Sequence, residues 1–242
     1  MNEEQQSTHQ LSVIVPCAPG DSSWKGLLSD LQVLPKDSEI LLISPNAEPV
    51  EDVNYWRGQL VPNIRWIQNS NGRAACQNRG AQEAKGDYLW FLHGDSKVPR
   101  LSSYALTELI AEEEDWDDVF FFDHHFLADG PKLVFLNSAF VNFRSKFFSL
   151  PMGQQGLAMH RKTFERIGGF DEDLEVGEDQ QLVWEARRKG IEMTRIPGAL
   201  FTSARRYRDS GWGMVTLDQA IQDGKATLNG ALKLMKFKVT DI

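Results

Sequence analysis

Short runs of apolar residues alternate along the chain with stretches whose apolar positions recur every three or four residues. Leu11-Ser-Val-Ile-Val-Pro16 reads as a buried parallel strand stopped by proline, and Glu39–Ser44 and Asn63–Gln68 repeat that signature. Between the first two, Trp24, Leu27, Leu28 and Leu31 share one helical face, which predicts a helix over Trp24–Val33 capped by Ser22 or Ser23. After the Asn71-Gly72 turn, alanine-rich Arg73–Lys85 predicts a helix stopped at Gly86-Asp87, and wholly apolar Tyr88–Leu92 a strand ending in His93-Gly-Asp-Ser96. Ser102–Glu114 has helical spacing, Asp118–Asp123 reads as a strand, Thr163–Gly169 closes a helix on a glycine pair, and Asp179–Lys189 is a helix closed by Gly190. Leu136–Leu150 sets Phe140, Phe143, Phe147 and Phe148 among Arg144 and Lys146. It predicts an amphipathic helix whose apolar face packs into the core, with peripheral membrane contact as the lesser alternative.

Strands alternating with helices define an α/β fold, and 242 residues without repeats or linkers suit one domain. Composition, at 41% hydrophobic and 25% charged, is that of an ordinary globular protein. The net charge of -8 argues against a nucleic-acid partner, because phosphate binding rests on clustered cations. No apolar run approaches the roughly 20 residues needed to span a bilayer, and the polar first ten residues do not read as a signal peptide. The expected location is cytoplasmic, with no transmembrane segment. Cys17 and Cys76 lack metal-binding or redox spacing and read as incidental buried thiols.

Two places carry candidate chemistry. His93-Gly94-Asp95 ends an apolar strand, where open α/β sheets bind ligands, and Asp95 offers a carboxylate to a hard divalent cation. Glu178-Asp179 follows a glycine and opens a helix, whose positive dipole end suits negative charge and whose carboxylates could act as a base.

Ser12–Pro16, then Asn71–Gly80 through Gly86–Asp95, then Gly168-Gly-Phe170 through Gly177-Glu-Asp179 fall in one order and spacing. Together, over roughly residues 11–208, they resemble the family 2 glycosyltransferases of GT-A fold. His93–Ser96 and Thr202–Tyr207 are most similar to a small bacterial subgroup labelled radical-SAM or selenodomain-associated. The resemblance implies a Rossmann-like mixed, mainly parallel sheet flanked by helices. After a polar stretch over 1–10, a single domain over 11–242 divides into a donor-binding part to about 100, an acceptor and catalytic part over 101–210, and a C-terminal helical segment over 211–242.

It further implies transfer of a sugar from a nucleotide-diphosphate donor to an unidentified hydroxyl acceptor, with inversion. Asp179 would be the general base and Glu178 its orienting neighbour. Asp95 and His93 would bind Mn2+ or Mg2+. Pro16, Cys17, Ala18, Ser44, Asn46, Arg73, Gln77, Asn78, His93, Gly94 and Asp95 would line the nucleotide-sugar site, and Gln154, Gln155, Arg205 and Arg206 the acceptor side. The chain departs from the pattern where His93 replaces the first acid of Asp-x-Asp and where the loops after the first two strands, Pro16–Gly20 and Ser44–Glu48, lack the usual acid. Those departures motivate an alternative, a non-catalytic nucleotide-sugar-binding protein of the same fold. A nucleotidyltransferase would need a glycine-rich loop with lysine, which Cys17-Ala-Pro-Gly20 matches poorly.

Overall fold

A computed structural model of the chain describes residues 11–59, 63–69, 72–112, 117–174, 176–217, 220, 221 and 224. The expected N-terminal stretch over 1–10 and most of the C-terminal segment beyond 217 lie outside the described residues. The first strands and helices are β1 (Leu11–Pro16), α1 (Trp24–Asp30), β2 (Glu39–Ser44), α2 (Val50–Arg57), β3 (Asn63–Gln68), α3 (Gly72–Glu83) and β4 (Tyr88–Phe91). They continue as β5 (Ser96–Lys97), α4 (Arg100–Glu112), β6 (Val119–Phe126), α5 (Val134–Phe148), β7 (Ala158–His160), α6 (Arg161–Ile167), α7 (Glu178–Arg188), β8 (Met193–Thr202) and α8 (Arg205–Ser210).

All eight strands join one sheet in the order β3-β2-β1-β4-β7-β6-β8-β5. β1 pairs in parallel with β2 on one side and β4 on the other, and β3 extends the parallel block. β7 then enters antiparallel between β4 and β6, while β6 and β8 are parallel. The sheet is therefore mixed and mainly parallel, as expected. Strand alternation divides the core between its two faces. Val13, Val15 and Trp90 pack with Trp24, Leu27, Leu106 and Phe122 on one side. Ile14, Leu89 and Phe91 pack with Phe164, Phe170, Leu182 and Val183 on the other. Helices cover both faces because both carry apolar side chains.

The predicted elements exist with shifted ends, and three details differ. Ser23 does not cap α1 through its side chain; instead Asp21 Oδ1 accepts from Ser23 N at 2.9 Å and Ser23 Oγ at 2.6 Å. β8 carries no strand signature in the sequence, because Pro197-Gly198 interrupts it. Its register against β6 shifts there, Phe121 facing Arg195 and Asp123 facing Ala199, so a bulge absorbs the breakers. The largest correction concerns α5. Its buried side chains are Val134, Ser138, Val141, Arg144 and Ser145, whereas Phe140, Phe143, Phe147 and Phe148 are exposed. The phenylalanine face is not core, because α5 meets the sheet through the opposite, less apolar face.

Candidate active site

The site forms where β1 parts company between β2 and β4, the switch point at which parallel sheets leave a crevice beyond their carboxyl ends. β1 ends at Pro16, and Cys17 N donates to Ile43 O at 2.7 Å. Past β4 the chain still follows β1, with Leu92 N donating to Ile14 O at 3.0 Å, and then turns tightly as Ser96 N donates to His93 O at 3.0 Å. His93 and Asp95 are thus delivered to the crevice by the end of a fully buried strand.

The second station is built at the start of α7. Gly177 precedes α7 at φ 86°, a conformation glycine adopts without steric cost, and this turn sends Glu178 and Asp179 inward at the first helical turn. Asp179 Oδ2 accepts from Gly153 N at 2.5 Å and Oδ1 from Gln180 N at 2.8 Å. Glu178, only 1% exposed, accepts from Arg73 Nε on α3, while its Oε2 has no hydrogen-bond partner among the described residues. Arg73 therefore bridges the two stations. Burial opposes its charge, yet the hydrogen bond to Glu178 and the nearby Asp179 and Asp95 carboxylates outweigh that and hold it above the ordinary arginine range. Burial and the Arg73 charge push His93 below its ordinary range against the pull of Asp95, Asp179 and Glu178, favouring the neutral imidazole with a free lone pair.

Gly153 is a contact that sequence reasoning missed. A Cβ there would stand 2.8 Å from Asp179 Oδ2 and 3.1 Å from His93 Nε2, so both groups close on the same point and leave no room for a side chain. Gln154 and Gln155 drew attention; the glycine beside them gave no signal beyond being a glycine. Asp21 was missed too. Sequence position set it too far beyond β1, but a Cβ on Gly94 would lie 3.9 Å from its Oδ2, so it brings a carboxylate to the first-strand loop.

Arg73, His93, Asp95, Gln154, Asp179, Thr202, Ser203 and Arg206 line a common cavity of about 780 Å³. Phe126, Leu136, Phe140, Val141, Met152, Leu174, Val176, Tyr207 and Trp212 add an apolar wall, interrupted by the polar Asn137, Gln180, Gln181 and Thr216. Arg205 is exposed and reaches Ser203 Oγ at 2.9 Å and Ser23 Oγ at 3.3 Å, tying the start of α8 to the loop after β1. Other expected residues lie elsewhere. Gln155 is fully buried, donating to Phe122 O at 2.8 Å and Ser145 Oγ at 3.0 Å. Asn78 clamps the α6–α7 connection, donating to Phe170 O and accepting from Phe170 N, each at 2.9 Å. Gln77 and Ser44 are buried, Ala18 and Asn46 are exposed, and Gly94 is buried in the turn between His93 and Asp95. Cys17 and Cys76 are buried free thiols, and burial first, with Asp21 adding to it, raises Cys17 to about 12.

Among the described residues no three His, Cys, Asp or Glu side chains cluster so as to hold a metal ion by themselves. The donor set at His93 and Asp95 suits a cation only if a ligand brings further oxygens, as a diphosphate would.

No family model matches the chain. It is 23% identical over 225 residues to the pre-mycofactocin glycosyltransferase of Mycobacterium tuberculosis, covering 85% of this chain and 45% of that protein. The chain thus spans less than half the length of the curated relative it matches. Among solved structures it is similar to residues 1–349 of S. aureus TarS in complex with UDP, at TM-score 0.61 and 19% identity, over 81% of this chain and 60% of that one. It is also similar to the mannosyltransferase PcManGT from Pyrobaculum calidifontis in complex with GDP-Man and Mn2+, at TM-score 0.58 and 18% identity, over 79% and 56%. The parallel block, the switch-point crevice and these likenesses agree: the chain has the fold of the GT-A glycosyltransferases.

Proposed function

We propose that the chain transfers a sugar from a nucleotide-diphosphate donor to a hydroxyl acceptor in a single inverting displacement. The observation that carries this reading is the pairing across one cavity of Asp179, fixed by two backbone N–H donors, with the His93–Asp95 loop. The names of the relatives, which include complexes with UDP and GDP-Man, support the donor class. Asp179 accepts the proton of the acceptor hydroxyl as its oxygen bonds to the anomeric carbon. The bond from that carbon to the diphosphate breaks, and the leaving group carries away the negative charge. A divalent cation held by Asp95, with His93 beside it and the donor phosphates completing its shell, would neutralise that charge. Arg73 adds a fixed positive charge between the stations, and its bond to Glu178 holds the helix start in register. Neutral His93 offers a nitrogen lone pair toward the site.

A second reading, nucleotide-sugar binding without turnover, is favoured by the end of β2. Ser44 is buried there, and the carboxylate of the following loop, Glu48, is paired with Arg57 at 2.6 Å. Thermal melting with UDP, GDP and their sugars, each with Mn2+ or Mg2+, tests the donor class for both. Ligand at about one hundred times its Kd adds roughly 2.7 kcal/mol to stability and raises Tm visibly. A flat response across the whole panel would overturn both readings. Release of nucleotide diphosphate from the stabilising donor then separates them, because only the first requires it.

A further inference from the structure

We propose that the exposed face of α5 docks the protein on an anionic membrane surface. Leu136, Phe140, Phe143 and Phe147 are spaced four, three and four residues apart, which aligns them along one side of the helix opposite Val134, Ser138, Val141 and Ser145, the side that is buried. The three phenylalanines are 51–64% exposed, and Phe143 and Phe147 face each other with ring centroids 4.6 Å apart. A ridge of this kind exceeds the scattered apolar exposure of an ordinary surface.

Charge identifies the occupant. The chain carries 34 acidic residues, yet none lies between Gly130 and Phe164. Exposed Lys132 precedes α5, exposed Lys146 sits on it with its ammonium 5.8 Å from the Phe147 ring centroid, and Arg187 is anchored on the Phe148 carbonyl at 2.6 Å. Cations flanking an aromatic ridge on an otherwise acidic protein match an interface of anionic headgroups over acyl chains. The ridge also continues into the site, since Leu136 and Phe140 line the cavity that the exposed Leu174 and Val176 also line. Docking through α5 therefore brings the cavity mouth to the membrane. The inference stands apart from the sugar-transfer reading, because it requires no turnover.

Co-sedimentation with phosphatidylcholine vesicles, with and without phosphatidylglycerol, tests it on the full chain. Wild type is expected to bind the mixed vesicles, to bind neutral ones less, and to lose much of the difference at high salt. Phe143→Ser/Phe147→Ser should weaken partitioning at least about tenfold per phenylalanine, while donor-induced stabilisation stays unchanged. Lys132→Glu/Lys146→Glu should abolish the preference for anionic vesicles. Melting of each variant checks folding, and if the double phenylalanine variant melts early, single Phe147→Ser in the last turn carries the test. The proposal is overturned if wild type ignores mixed vesicles, or if the phenylalanine variants bind as wild type does. It is equally overturned if sedimentation velocity without lipid shows a dimer that Phe143→Ser/Phe147→Ser dissolves, which would assign the ridge to a second copy of the chain.

Discussion

Asp95 and Asp179 face the same cavity from two different kinds of support. Asp95 sits on a loop just past β4, partly exposed, and accepts no hydrogen bond from any described residue; it interacts electrostatically with Arg73 and His93. Asp179 is buried at the start of α7, with both oxygens already held by backbone N–H groups. An open carboxylate can give its lone pairs to a cation and a ligand that arrive together, at little cost of rearrangement. A carboxylate with fixed orientation suits the abstraction of one proton along one line, since positioning supplies much of the rate. On the proposed reading the two stations divide the work: one is left for the ligand to complete, and the other is complete before the ligand arrives.

Four changes would break or sharpen that division. Asp179→Asn keeps the shape and removes the proposed base, so release of nucleotide diphosphate from a donor and acceptor pair should fall by about 10²–10⁴-fold with the fold intact. Gly153→Ala tests whether orientation matters as much as charge. Its Cβ would stand 2.8 Å from Asp179 Oδ2 and 3.1 Å from His93 Nε2, and displacing that carboxylate oxygen should cost about 10²-fold in turnover.

Arg73→Met strips the partner from buried Glu178. Urea unfolding should show a loss of about 2 kcal/mol, below the range for fully buried pairs because Arg73 is 42% exposed, and Arg73→Met/Glu178→Gln should recover part of it. A fourth change probes the wall of the cavity that Thr202 lines. His124 is buried beside Thr202, with its Nε2 2.8 Å from the Thr202 hydroxyl, and burial lowers it from 6.5 to about 3. Between those values the unfolded chain binds a proton that the folded one refuses. Stability therefore falls as pH drops from about 6.5 toward 3, by about 1.4 kcal/mol per unit from this group. Urea midpoints for His124→Gln across that range should lose that part of the slope.

The centre of the parallel block was readable because β1, β2 and β4 are buried on both faces and so carry apolar runs such as Val13-Ile-Val15 and Tyr88–Phe91. β7 is three residues long and β8 holds Pro197-Gly198, so neither carries a period from which a strand could be read. The site divides the same way. His93, Asp95 and Glu178-Asp179 were legible because acidic and polar groups interrupt apolar patterns at element ends. Gly153 and Asp21 act through approach rather than through their own pattern, and only folded geometry brings them to Asp179 and Gly94. The α5 phenylalanines were misjudged for a related reason. Helical spacing defines an apolar stripe, but whether the sheet or the solvent meets it depends on the face where Val134, Val141 and Arg144 are buried.

Calorimetric titration of the stabilising nucleotide with Mn2+ into wild type, Asp95→Asn and Asp179→Asn tests the division between the stations most directly. If Asp95 is the open station, its variant loses the metal-dependent part of the affinity, whereas Asp179→Asn binds as tightly as wild type and fails only in turnover. Equal affinity in wild type and Asp95→Asn, or loss of binding in Asp179→Asn, would contradict it.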